Sequence, residues 1–152
     1  MKTFNELLKI VEQEIENISY PDGPKNFYDP VKYILSLGGK RLRPVFGLMA
    51  CNMFSDSVDE AVKPSVGMEI FHNFTLLHDD IMDNSMLRRK QPTVNAKWGN
   101  NVAILSGDGM TYIATKYVMA SPAWARGQVM DIYLKTAIKT VSQREILMAV
   151  FT

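Results

Sequence analysis

Apolar residues at Phe4, Leu7, Leu8, Val11, Ile15 and Ile18 return every three or four positions, the spacing that gathers them on one side of an α-helix. They predict an amphipathic first helix that ends before "SYPDGP", a run of turn formers that is the clearest break in the chain. A short helix is expected near "PVKYILSL", stopped at Gly38 and Gly39 because glycine reaches backbone angles other residues avoid. Pro44 suits the first turn of a third helix running to about Phe54. After the polar "SDSVDE", rich in capping residues, a long helix is predicted from about Val58 to Asp83. There Val66, Ile70, Phe74, Leu77 and Ile81 step by three or four, and the only breaker, Pro64, lies near the start. Further helices are expected over "TVNAKWG", from Asn101 to about Met119, and from Val129 to the end. No long segment alternates apolar and polar residues as a half-exposed strand would. The expected fold class is therefore all-α.

At 152 residues the chain has the size of one domain and can bury a real core. Its 17 basic and 16 acidic side chains leave a net charge of +1, which argues against a nucleic-acid partner and requires any anion recognition to be local. The single Cys51, inside the apolar "VFGLMACNMF", can form no internal disulfide; it reads as a packed thiol in a reducing compartment. The N-terminus carries acids throughout and lacks the apolar core of a secretion signal, and no stretch is long enough to cross a bilayer. A cytoplasmic protein with no membrane span is expected.

Local chemistry concentrates in "HDDIMDNSMLRRK", residues 78 to 90, where Asp79, Asp80 and Asp83 are followed by Arg88, Arg89 and Lys90. On a helix Asp79 and Asp83 share a face, whereas Asp80 is rotated aside from Asp79. Repulsion between such carboxylates costs stability unless cations answer it. Magnesium keeps several waters and binds through one or two carboxylates plus substrate phosphates, so this spacing suits a diphosphate arriving with its metal. A merely solvated helix end is the bland alternative. His72 lies seven residues before Asp79, two turns along the same face, although a lone helical histidine is more often a satisfied core residue. "GGKRLRP" places Lys40, Arg41 and Arg43 after a glycine turn at a helix start, where backbone N–H groups and cations converge on phosphate; the alternative is a charged exposed loop. Arg88 and Arg89 offer planar forks that match phosphate oxygens, or serve as counter-charges to the acids. Each bland reading is sound singly, and the combination is harder to dismiss.

"GGKRLRP", "HDDIMD", the arginine pair and "GD" at Gly107 and Asp108, in this order and spacing, resemble the first half of the trans-type isoprenyl diphosphate synthases, the farnesyl and geranylgeranyl diphosphate synthase family. The resemblance runs from about Val31 to Ala120. It implies part of an isoprenoid-synthase-type helical bundle, a prenyltransferase that condenses isopentenyl diphosphate with an allylic diphosphate to a short-chain product, and a magnesium requirement. Carried over by position, Asp79, Asp80 and Asp83 are the metal site, with Asp79 and Asp83 the direct ligands; Arg88 meets the allylic diphosphate; Lys40, Arg43, His72 and Arg89 hold isopentenyl diphosphate. Arg41 faces solvent or stabilises the loop. Phe74, five residues before Asp79 and so about 7.5 Å along the helix, floors the product tunnel with Thr75 beside it, or is an ordinary core phenylalanine.

The chain departs from the family pattern at Lys90, where glycine is usual, and at Asn95, near which histidine is frequent. Beyond Arg89 its only acids are Asp108, Asp131 and Glu145, too few for the second aspartate cluster of the family. The tail from residue 121 to 152 diverges at Ser142, Gln143 and Arg144, so a single truncated synthase domain is expected, impaired alone. Helices left without partners imply a homo-oligomer or pairing with another synthase subunit. The competing reading is a non-catalytic diphosphate-binding partner subunit. A metal phosphohydrolase, suggested by His72 and the His78-Asp79 pair, fits poorly because the chain has only those two histidines.

Overall fold

A computed structural model describes residues 1–122. Six helices and one small hairpin follow in order: α1 (Phe4–Glu16), α2 (Lys25–Ser36), α3 (Leu42–Asn52), α4 (Asp59–Met82), β1 (Leu87–Arg88), β2 (Gln91–Pro92), α5 (Val94–Trp98) and α6 (Asn100–Val118). The all-α expectation holds, since the hairpin is the only strand pairing among the described residues. The helix expected from Val129 lies outside them.

Local rules explain most boundaries. Thr3 and Glu6 form a reciprocal capping box that satisfies two orphan donors at the start of α1. The second helix begins at Lys25, five residues before the expected Pro30, with Pro24 as its N-cap, whose carbonyl accepts from the Phe27 N–H at 2.9 Å. Pro30 then sits inside the helix, where its missing N–H forgoes one backbone bond. Gly38 at φ 71 turns the chain out of α2, and Arg41 at φ 45 turns it into α3.

The long helix α4, about 36 Å from end to end at the usual rise, is the spine. It lies against α6, whose packed face is Ala103, Ser106, Gly107, Met110, Ala114 and Val118. The two backbones approach at Gly67, where a Cβ would come within 3.0 Å of the Ala114 carbonyl oxygen. The remaining helices pack around this pair, α1 and α3 against α4 and α2 and α5 against α6. Leu7, Val11, Val31, Ile34, Leu48, Val66, Ile70, Leu77 and Met110 are all but fully buried, each contributing about 1.5–3 kcal/mol of apolar transfer. No helix among the described residues is long and apolar enough to cross a membrane.

The hairpin pairs Leu87 with Pro92 and Arg88 with Gln91. Its turn residues, Arg89 at φ 53 and Lys90 at φ 66, both occupy the left-handed region, as a two-residue turn matching strand twist requires.

Candidate functional site

On the 3.6-residue period of α4, His72, Asp79 and Asp83 fall on one face. Asp83 is the exposed C-cap, and its N–H donates to the Asp79 carbonyl at 2.8 Å. Asp80 points elsewhere. It is 2% exposed, and Arg88, delivered by β1, donates to both of its oxygens, Nε to Oδ2 at 2.7 Å and Nη2 to Oδ1 at 2.8 Å. This bond, with smaller help from Asp79 and Asp83, holds the Arg88 guanidinium above its ordinary pKa, against the opposing pull of its partial burial. Arg88 is thus the counter-charge of the acid cluster, and Nη1 remains for a further oxygen.

The donor set can be tested against the implied magnesium. Among the described residues no three His, Cys, Asp or Glu side chains gather into a metal cage. Asp79 and Asp83, one turn apart, still fit an ion that keeps its waters and is completed by phosphate oxygens. Asp80, with both oxygens taken by Arg88, is placed to hold the arginine.

A second pole lies about 10 Å back along α4, seven residues at the usual rise. His72 is half-buried there, and its pKa is held below the ordinary 6.5 first by burial, then by Arg43, with Arg89 and Arg88 adding and Glu69 opposing. Arg43 comes from the first turn of α3 and Arg89 from the hairpin turn. The Arg89 guanidinium lies over Gly39, where an added Cβ would meet Nη2 at 3.0 Å and Cζ at 3.1 Å; the glycine makes room for the arginine. Burial, then Arg41 and Arg88, push Arg89 below its ordinary pKa, with Glu69 opposing. Lys40, next along the loop, is exposed. The two basic loops therefore meet at His72, an array of cations that favours an anion.

Arg41 does not face solvent. It is 2% exposed, pairs with Glu12 and Glu69 at 3.1 Å each, and donates to the Leu35 carbonyl at 2.6 Å. It stabilises the loop by joining α1, the end of α2 and α4. Glu12 and Glu69 escaped the sequence reading. Glu69, an acid among the apolar positions Val66 and Ile70 and three residues before His72, carried the only available signal. Asn73 donates to it at 3.3 Å. Phe74 is half-buried, its ring 5.4 Å from that of Phe71 and 4.5 Å from that of His78, and it packs on the core. Thr75 donates to the His72 carbonyl. Gly107 of the "GD" pair lies against the His78 imidazole and Leu77 of α4. Asp108 is exposed.

A helical bundle whose central helix carries spaced carboxylates at one end and a ring of cations beside it belongs to a recognisable class. The polyprenyl synthetase family model matches residues 24–147, and the chain is a member of that family. Over 105 residues it is 42% identical to the geranylgeranyl diphosphate synthase of Saccharolobus solfataricus, a match covering 69% of this chain and 31% of that protein. Over 107 residues it is 37% identical to heptaprenyl diphosphate synthase component 2 of Bacillus subtilis, covering 70% of this chain and 30% of that one. A crystal structure of a geranylgeranyl pyrophosphate synthase superposes with a TM-score of 0.90 at 38% identity, covering 95% of this chain and 44% of the other. The enzyme of the archaeon Geoglobus acetivorans gives 0.82 at 32%, with 95% and 47% covered. The chain thus spans about a third of the length of the curated relatives it matches and less than half of these solved structures.

Proposed function

We propose that this chain carries the substrate-binding face of a short-chain trans-type prenyltransferase that joins isopentenyl diphosphate to an allylic diphosphate. Magnesium, when bound by Asp79 and Asp83, would draw negative charge off the departing diphosphate. Arg88, fixed by Asp80 through two of its nitrogens, offers the third to a phosphate oxygen and stabilises the charge that grows there. Lys40, Arg43, His72 and Arg89 hold isopentenyl diphosphate about 10 Å away along α4, which keeps the two anions apart while their hydrocarbon ends meet. The allylic C–O bond breaks, a C–C bond forms to the carbocation, and loss of a proton restores the double bond. No side-chain nucleophile takes part.

The observation that carries this reading is the division of one helix face into a basic pole at His72, where Arg43, Arg89 and Arg88 all act on the imidazole, and a carboxylate pole at Asp79 and Asp83. The test is magnesium-dependent incorporation of labelled isopentenyl diphosphate into a longer prenyl diphosphate, by the chain alone and mixed with a complementary synthase subunit. Incorporation lost in Asp79→Asn supports the reading; none in either mixture sinks it.

A second reading, a non-catalytic diphosphate-binding subunit, draws support from exposed Phe46 on α3, Met53 at its C-cap, and Leu105 and Tyr112 on α6, apolar surface that suits covering by another subunit or a second copy. The name of the Bacillus subtilis relative, a component of a synthase, points the same way. Diphosphate binding without product would favour it. A cytoplasmic location is inferred from the unpaired Cys51.

A further inference from the structure

The hairpin that carries both arginines should not stand by itself. It has two residues per strand, too little for independent stability, and its turn places two non-glycine residues in the left-handed region, which costs energy at each. Its base is tied by Thr93, whose N–H donates to the Met86 carbonyl at 3.0 Å and whose hydroxyl donates to the Ser85 carbonyl at 2.7 Å. Its outer strand is tied from a different element. The Tyr33 hydroxyl on α2 donates to the Pro92 carbonyl at 2.7 Å. The same ring meets Trp98 edge-on at 5.1 Å, and the Lys97 ammonium lies 4.2 Å from the Tyr33 ring centre and 4.7 Å from that of Trp98. Tyr33 also stands five residues before Gly38, on the helix that leads into the loop of Gly39 and Lys40. One side chain therefore links the two segments that meet where Arg89 lies over Gly39.

We propose that Tyr33, braced by Lys97 and Trp98, is a positioning residue that sets the register of the arginine hairpin against the glycine loop and so shapes the basic pole at His72. The inference rests on the diphosphate reading of that pole. Tyr33 touches no anion itself; it acts by keeping the left-handed turn of Arg89 and Lys90 in place.

The test uses the full chain and isopentenyl diphosphate without metal, titrated calorimetrically, together with the NMR signal of the Arg89 Nε–H. Tyr33→Phe removes one hydroxyl and leaves the ring contacts. Affinity should fall about tenfold, the scale of one well-placed hydrogen bond, and the Arg89 signal should shift or broaden. Adding Lys90→Gly, which removes the strain of the turn, should restore both, a rescue that general loosening of the fold would not give. Arg43→Ala separates the two claims. If wild type binds, Arg43→Ala abolishes binding and Tyr33→Phe changes neither affinity nor the Arg89 signal, the positioning role is overturned while the diphosphate site stands. If wild type does not bind, the diphosphate reading fails, and the Arg89 signal in Tyr33→Phe still decides whether the strap holds the hairpin. Lowered affinity without rescue by Lys90→Gly also overturns the proposal.

Discussion

Arg88 closes on Asp80 with two parallel hydrogen bonds, at 2.7 and 2.8 Å, across a gap of eight residues. The middle acid of the cluster is thereby withdrawn from solvent, and the outer two are left on the face that holds His72. The pair also fixes where the hairpin leaves the end of α4, so a buried ion pair and the geometry of the open site are the same structural fact.

Removing either partner should be costly. Asp80 is almost fully buried and Arg88 keeps a quarter of its side chain in water, so Arg88→Ala, which strands the carboxylate, is expected to cost about 3 kcal/mol, the low end for one partner of a buried pair. Asp80→Leu with Arg88→Met should cost far less than the sum of the single changes. Urea unfolding of the four proteins gives the coupling directly; additive effects would show that the pair is not energetically linked.

The two arginines of "KRLR" should separate cleanly. Arg41→Ala leaves Glu69, 4% exposed, without its closest cation, and an expected loss of about 3–5 kcal/mol follows. Arg43 is exposed, so Arg43→Ala should alter stability by no more than about 0.5 kcal/mol while abolishing isopentenyl diphosphate binding. Thermal melts beside calorimetric titrations distinguish the outcomes. Equal stability losses would refute the assignment of Arg41 to the fold and Arg43 to the site.

That contrast shows what was readable in the chain. Helices α1, α4 and α6, the glycine stop after α2 and the spacing of Asp79 from Asp83 all follow from neighbours within a turn or two, and local periodicity reports them. The duties of Arg41 and Asp80 do not. Arg41 is held by Glu12 and Glu69, 29 and 28 residues away, and nothing within "GGKRLRP" tells it apart from Arg43. The hairpin is hidden for another reason: its left-handed turn is built from Arg89 and Lys90, without the asparagine or glycine that marks such turns. The start of α2 is hidden because Pro30, a residue that ordinarily marks a first turn, sits inside the helix, while Pro24 stands at its N-cap.

His72 should give the stability curve an acid limb. Its folded pKa lies below the ordinary 6.5 because burial, then Arg43, disfavour the imidazolium. Below pH 6.5 the unfolded chain takes up a proton that the folded chain refuses until more acid pH, so stability falls as pH drops through this window and does not depend on His72 above it. His72→Gln should flatten that limb. An anion at the pole should oppose the shift, so isopentenyl diphosphate binding near pH 6 should be accompanied by proton uptake, seen as a dependence of the binding heat on buffer ionisation enthalpy. An unchanged limb in His72→Gln would assign the acid sensitivity to other groups.

Metal and diphosphate should bind as a pair. Two carboxylates one turn apart give magnesium too few ligands for tight binding on their own, so magnesium alone should leave the melting temperature nearly unchanged. Inorganic pyrophosphate supplies the missing oxygens. With both present at about 100 times their joint dissociation constant, mass action should add about 2.7 kcal/mol to stability, and chelation of the metal should remove most of it. Asp83 is the exposed C-cap of α4, so Asp83→Asn should fold normally and lose only this magnesium-dependent increment. Metal-free binding of isopentenyl diphosphate at His72, Arg43 and Arg89 should persist in that variant. A full magnesium-dependent shift retained by Asp83→Asn would place the ion elsewhere and remove the carboxylate pole from the mechanism.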